Sequence, residues 1–249
     1  MSAAPPLDVA VLGGGISGLT VGFLLHRRGV RVAVFEAQRR AGGCIRSWRQ
    51  GEFLFELGPN TVLDSAPEIG ALCREAGLEE RRLHASASAQ RRYIVRDARL
   101  TRLPAGPGSF LTTRAFSPRA KLRLCLEPFV RRAGSDMEES IAAFTRRRLG
   151  QELLDYAVGP FVSGVYAGDP ERLSVRWATP KIHALERQHG SLIRGALARR
   201  KGPAPAGGLF SFPDGLEELP LALAGGLGPA WRGGHTVLRV ERAGDGWSI

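Results

Sequence analysis

Lysine is nearly absent from this 249-residue sequence. The 35 basic residues include only Lys121, Lys181 and Lys201, so arginine carries most of the formal net charge of +11. The arginine excess accompanies abundant glycine and proline, the pattern of a GC-rich coding sequence, and no nucleic-acid-binding motif goes with it, so nucleic acid is not an expected partner. Cysteine is scarce too: Cys44, Cys73 and Cys125 form no CxxC pair. Three cysteines cannot build a disulfide framework, and their spacing argues against structural zinc and fits a reducing compartment. No apolar run reaches the roughly 18 residues that a spanning helix needs. Residues 1–8 lack the charged-then-apolar profile of a signal peptide. A cytoplasmic protein, peripheral on the membrane at most, is the expectation.

What is present is a strand–turn–helix–strand unit. Residues 8–12 (DVAVL) read as a buried parallel strand, 19–28 as a helix ended by Gly29, and 30–35 as a second strand closed by Glu36. Gly13-x-Gly15-x-x-Gly18 lies between the first strand and the helix. In that position Gly13 permits a tight turn, Gly15 lets backbone approach a pyrophosphate, and Gly18 lets helix pack on strand. The helix N-terminus offers free N–H groups and partial positive charge to the phosphates. Glu36, 21 residues after Gly15, is placed to accept hydrogen bonds from an adenosine ribose. A dinucleotide is therefore expected, and this unit alone leaves NAD and FAD open.

Further along, 53–57 reads as a strand, 67–76 as a helix stopped by Gly77, and 91–103 as a hairpin centred on Asp97 and Ala98. Helices are expected at 119–132, at 136–149 with Asp136 as its cap, and at 151–165 with a break at Gly159-Pro160. Residues 199–208 are the best linker candidate. A helix at 215–223 and strands at 236–242 and 247–249 complete the reading.

The continuation Glu36-x-x-x-Arg40-x-Gly42-Gly43 resembles flavoproteins of the amine-oxidase type, which directs the dinucleotide reading to FAD. VLGGGISGL, GGCIRS at 42–47, FELGPN at 55–60, QRRYIV at 90–95, SGVYAGDP at 163–170 and LERQHGSLI at 185–193 together resemble the protoporphyrinogen oxidase family over nearly the whole sequence. The resemblance implies an α/β fold: a Rossmann-like FAD-binding domain with an inserted, partly helical substrate and membrane-surface region. It divides the chain into 1–90, 91–210 and a returning 211–249. FAD would lie along Gly13, Gly14, Gly15, Ile16, Ser17 and Gly18, with Glu36 at the ribose and Ala37 contributing backbone. Arg40, Gly42 and Gly43 would line the pyrophosphate and ribityl region, with Cys44 beside the flavin. Gly58, Pro59, Asn60 and Thr61 would pass close to the isoalloxazine, and Val237 would meet adenine from a strand. Arg92 would meet a propionate of the porphyrinogen. No catalytic acid, base or metal ligand is assigned, because the redox chemistry belongs to the flavin. Cys44 and His189 are read as packing residues.

The implied activity is oxidation of a porphyrinogen, protoporphyrinogen or coproporphyrinogen, with molecular oxygen as acceptor. Basic residues alternating with apolar ones at 117–132 suit an anionic membrane surface. Members of the family are roughly twice this long, so the C-terminal part of the fold is expected to be missing: a fragment, a frame-disrupted product and one half of a split enzyme are the open readings, and a C-terminal half or a homo-oligomer are the partners considered. Another amine-oxidase-type activity, or a fragment that only binds dinucleotide, are the alternatives.

Overall fold

In a computed structural model, residues 6–86, 89, 91–134, 138–199 and 208–249 are described. The chain opens with β1 (Val9–Leu12), α1 (Ile16–Arg27) and β2 (Val32–Glu36). Next come the hairpin β3 (Ser47–Gln50) and β4 (Phe53–Glu56), then β5 (Val62–Leu63), α2 (Pro67–Glu75) and β6 (Leu83–His84). The middle holds the hairpin β7 (Tyr93–Arg96) and β8 (Arg99–Arg102), followed by α3 (Pro107–Thr112), α4 (Pro118–Cys125), α5 (Ile141–Arg148) and α6 (Gln151–Leu153). It continues through α7 (Gly159–Tyr166), α8 (Val175–Ala178), α9 (Pro180–His189) and α10 (Leu192–Arg199). The last stretch contains β9 (Leu209–Ser211), α11 (Glu218–Leu227), β10 (Trp231–Gly233), β11 (Glu241–Ala243) and β12 (Gly246–Ser248). Two compact units result: Met1–Ala85 with Pro205–Ile249, and Ser86–Ala204.

The first unit is built on a parallel sheet in the order β1-β2-β10. Val9 lies opposite Val32 and Leu12 opposite Phe35, while Trp231 and Gly233 pair with Val34 and Glu36. Val32, Ala33 and Val34 are buried, as expected of a continuous apolar run in the middle of a parallel sheet. Leu19 and Phe23 of α1 meet Val34 and Leu219, Leu223 and Leu227 of α11 in one core. Each fully buried side chain of this kind contributes about 1.5–3 kcal/mol. α1 packs closely on β2 at Gly22, where a Cβ would run into Val34, and α11 approaches α1 at Gly226, where a Cβ would lie 2.5 Å from the Phe23 ring. A second sheet, β5-β9-β6, buries Phe210 and Phe212. The sequence boundary at 210/211 falls inside β9. β9 pairs with β5 and β6, within the first unit.

The second unit is helical apart from one hairpin. Asp97 and Ala98 take φ of 50° and 56°, the left-handed pair that a two-residue hairpin turn demands. Two helices depart from the expected bounds. α4 stops at Cys125 and a 3-10 turn, Glu127–Phe129, follows, because Pro128 has no N–H with which to continue the helix. Between α6 and α7 the chain does not break. It passes through a π turn, Leu154–Val158, which absorbs the interruption at Pro160. Asp136 and most of the linker candidate, 200–207, lie outside the described residues. The cap of α5 is Ser140, whose hydroxyl accepts from the Ala143 N–H at 3.1 Å.

A buried ion cluster ties the helices together. Arg148 and Glu127, both fully buried, pair at 2.9 Å, and Arg148 Nε also reaches Glu186 at 3.0 Å. The Glu127 carboxylate accepts the Leu192 and Ile193 N–H groups at 2.9 and 3.2 Å, so it caps α10 with a negative charge. Burial pushes the Glu186 carboxyl up, and the Arg147 and Arg148 guanidiniums outweigh it, leaving a net depression.

Candidate dinucleotide site

The first unit places the glycine turn at the carboxyl end of β1. Gly13 has a φ of 105°, a backbone region open to glycine, and its N–H donates to the Phe35 carbonyl at 2.8 Å. The helix begins at Ile16, inside the motif, so Ile16 and Ser17 form its first turn. A Cβ on Gly18 would collide with the Gly13 carbonyl oxygen, so Gly18 is fixed by the close passage of α1 over the turn. Around a Cβ built on Gly15, by contrast, nothing among the described residues lies within 4 Å. The N-terminus of α1 has no side-chain cap and no acidic residue in its first turn. An uncapped positive helix end beside an open glycine is chemically suited to a pyrophosphate.

Glu36 closes β2 on the same edge. One carboxylate oxygen accepts the Gly14 N–H at 2.7 Å and the other the Gln38 N–H at 2.8 Å. The Gln38 N–H and then the Gly14 N–H hold its carboxyl below the ordinary value. An ionised acceptor thus stands at the end of the second strand, suited to a ribose diol.

The Gly42-Gly43 loop folds back onto the turn. The Gly42 N–H donates to the Gly14 carbonyl at 2.8 Å, and a Cβ on Gly43 would lie 3.2 Å from the Cα of Gly15. Arg40 organises this loop: its guanidinium donates to the carbonyls of Ala41 at 3.1 Å and Ile45 at 2.9 Å, and to Glu217 at 3.2 Å. Arg40 is thus spent on the loop and on Glu217, a partner the sequence reading did not single out. Cys44 is exposed. Gly58 abuts the Cys44 carbonyl so closely that a Cβ there would collide with it, which brings the start of 58–61 to the loop. Pro59, Asn60 and Thr61 are exposed, and the Thr61 hydroxyl meets Asn60 Oδ1 at 3.1 Å. Ala37 is exposed beside Glu36.

One expectation is corrected. Val237 is not on a strand: β10 ends at Gly233 and β11 begins at Glu241. The alternation at 236–242 finds no ladder partner among the described residues until β11, and Leu238 is 92% exposed. The structure also adds a residue without a local sequence signal. Trp231 of β10 packs its indole against Gly14.

In the second unit, Arg92 extends the β7–β8 hairpin, its carbonyl accepting the Leu103 N–H at 2.8 Å. Its guanidinium lies 5.9 Å from the Phe161 ring centroid, and Phe161 meets Tyr166 edge-on. Tyr166 belongs to the YAGDP string. The LERQHGSLI string supplies Glu186 and Ser191 to the buried ion cluster, a structural task.

This geometry and comparison with known proteins agree: the chain belongs to the family of flavin containing amine oxidoreductases, which matches residues 16–249. The cofactor of that family is FAD. The chain is 36% identical to protoporphyrinogen oxidase 2, chloroplastic/mitochondrial, of Arabidopsis thaliana, over 88% of this chain and 47% of that protein. It is 31% identical to coproporphyrinogen III oxidase of Staphylococcus aureus, over 87% of this chain and 50% of the other. Among solved structures, a putative protoporphyrinogen oxidase from Exiguobacterium sp. 255-15 superposes with a TM-score of 0.74 at 24% identity, over 96% of this chain and 55% of that one. Cyclohexylamine oxidase from Brevibacterium oxydans has the same fold, with a TM-score of 0.66 at 18% identity, covering 98% and 54%. The chain spans about half the length of the curated relatives it matches.

Proposed function

We propose that this chain carries the dinucleotide end of an FAD-dependent porphyrinogen oxidase, acting on protoporphyrinogen or coproporphyrinogen with oxygen as acceptor. The observation that carries the reading is the uncapped start of α1 beside the open face of Gly15, with the Glu36 carboxylate held across the turn. Bound FAD would supply the hydride acceptor. Gly13 to Gly18 would receive its pyrophosphate, Glu36 its ribose, and the Gly42-Gly43 loop would close over the chain between them. Gly58, Pro59, Asn60 and Thr61 would lead toward the flavin ring, and Val237 toward adenine. Arg92, beside Phe161 and Tyr166, suits the carboxylate arm and apolar face of a tetrapyrrole.

The second unit adds a membrane reading. Among the described residues no helix is long and apolar enough to cross a membrane. Leu122, Leu126 and Phe129 nevertheless lie four and three residues apart and are 61%, 49% and 80% exposed, a short apolar stripe flanked by Arg119 and Arg123. Peripheral contact with an anionic membrane from the cytoplasmic side is the proposed use.

The test is reconstitution. The purified chain, alone and with a polypeptide matching the second half of the relatives, is titrated with FAD and given each porphyrinogen in air. Flavin absorbance that stays with the protein, with porphyrin fluorescence that needs oxygen, supports the reading. Failure to retain FAD in either condition overturns it. A second reading, dinucleotide binding without turnover, predicts flavin retention and no porphyrin from the chain alone.

A further inference from the structure

We propose that Trp231 is a positioning residue of the dinucleotide site, its indole filling the space against Gly14 and holding the glycine turn to Glu36. The inference rests on the dinucleotide reading above. The GxGxxG spacing demands glycine at 13, 15 and 18 and leaves position 14 free, so the pattern gives no reason for three glycines in a row. The structure supplies one. A Cβ on Gly14 would lie 2.7 Å from Trp231 Cζ3, nearer still to Cη2, and 2.9 Å from the Cβ of Glu36. Position 14 is glycine because the ring already occupies that volume.

Trp231 gets there through sheet register. β10 runs parallel to β2 with Trp231 opposite Val34 and Gly233 opposite Glu36, which sets the indole beside the strand end that carries the carboxylate. Gly233 makes room in turn, since a Cβ there would lie 2.9 Å from Trp231 Nε1 and from the Arg39 carbonyl oxygen. The ring also packs on the core of the first unit, so it is held from behind.

The consequence for a ligand passes through two other residues. Gly14 donates its N–H to Glu36 at 2.7 Å, and a glycine without support has the widest backbone freedom of any residue. The indole removes that freedom. With Gly14 fixed and the second carboxylate oxygen on the Gln38 N–H, Glu36 keeps one orientation and presents its remaining acceptor positions to the ribose hydroxyls. Trp231 touches neither phosphate nor ribose in this account. It sets the geometry of the groups that do.

The experiment is a double-mutant cycle on the full chain: wild type, Trp231→Val, Gly14→Ala and the double variant, with Trp231→Phe as the conservative variant. FAD and ADP dissociation constants are measured by titration, and the urea midpoint is measured without ligand. Gly14→Ala weakens both ligands by about tenfold or more, Trp231→Val by several-fold, and the double variant binds better than Gly14→Ala because the collision with the indole is gone and only the approach to Glu36 remains. Trp231→Phe recovers part of the loss and stands in for the cycle if Gly14→Ala does not fold. If Trp231→Val and Trp231→Phe lower the urea midpoint and leave both dissociation constants unchanged, Trp231 only packs and the proposal is overturned. Additive losses in the double variant overturn it too. A wild-type chain that binds neither FAD nor ADP overturns the dinucleotide reading itself, and the positioning role falls with it.

Discussion

Glu36 accepts the backbone N–H of Gly14 across 22 residues of sequence, at 2.7 Å, and so ties the end of β2 to the glycine turn. The bond has an electrostatic counterpart. The N–H groups of Gln38 and Gly14 hold the carboxyl below its ordinary value of 4.5. A depressed carboxyl stabilises the fold above the unfolded value, and that stability is lost as pH falls through the lower folded value. The acid side of a stability profile therefore contains a Glu36 component, which Glu36→Gln removes. Hydrogen bonds to a charged acceptor contribute about 1.5–3 kcal/mol, so Glu36→Gln is expected to weaken FAD binding by roughly 10- to 100-fold. Titrations of both variants at neutral pH and across the acid range measure the two effects. Equal affinities at neutral pH would remove Glu36 from the site.

What could be read in advance follows from how local each cause is. The β1–α1–β2 unit was legible because its glycines, its two apolar runs and Glu36 fall within 30 residues, and the Gly13–Phe35 and Gly14–Glu36 hydrogen bonds lie inside that window. Arg40 stood out in the sequence beside Gly42-Gly43, but its partner did not: Glu217 is 177 positions away, and only the packing of the start of α11 brings them together. Trp231 was invisible for the same reason. Its role depends on parallel pairing of β10 with β2, and no local pattern specifies that pairing. The strand reading around Val237 failed in the opposite direction. The alternation at 236–242 is a real local signal, but a strand exists only where a ladder partner lies alongside it. The π turn at Leu154–Val158 was hidden too, because a Gly-Pro pair reads as a break when the helix can instead widen by one residue.

The buried cluster in the second unit gives a stability prediction independent of any ligand. Removing one partner of a buried pair costs about 3–5 kcal/mol, because the other charge is left unpaired. Glu127→Ala leaves the fully buried Arg148 guanidinium with Glu186 alone and uncaps the first N–H groups of α10. It should lower stability by about 3 kcal/mol or more. Glu127→Leu combined with Arg148→Met removes both charges and should cost less than the two single losses added together. Urea denaturation followed by far-ultraviolet circular dichroism reads both. A cost below about 1 kcal/mol for Glu127→Ala would mean that water replaces the carboxylate.

The apolar stripe on α4 and the turn after it predicts a salt-sensitive membrane contact. Leu122, Leu126 and Phe129 stand exposed with Arg119 nearby. Co-sedimentation with vesicles containing phosphatidylserine should exceed that with neutral phosphatidylcholine, and should fall as salt rises. Leu122→Ser with Phe129→Ser should abolish most of it without lowering the unfolding midpoint, since both side chains face away from the packed core. Binding that survives both substitutions would place the contact elsewhere.

The end of α7 carries a mismatch between residue and conformation. Ala167 is its C-cap and sits at φ 47° and ψ 35°, a left-handed position that glycine normally takes. The glycine is present one residue later, as Gly168. It does not take the left-handed conformation, and it has a packing reason of its own to be glycine: a Cβ there would lie 2.8 Å from Leu173 Cδ1. The helix therefore ends on alanine, and the left-handed conformation costs roughly 1–2 kcal/mol for a residue with a side chain. Ala167→Gly relieves that strain while making the unfolded chain more flexible, so a net gain of about 0.5–1 kcal/mol is expected. Gly168→Ala should destabilise, since the methyl group must displace Leu173 from its contacts beside Ile141, Val162 and Val175. A rise in thermal midpoint for the first variant and a fall for the second would confirm that the two neighbours have divided the usual work of one glycine. If the two substitutions shift the midpoint in the same direction, the cap assignment fails.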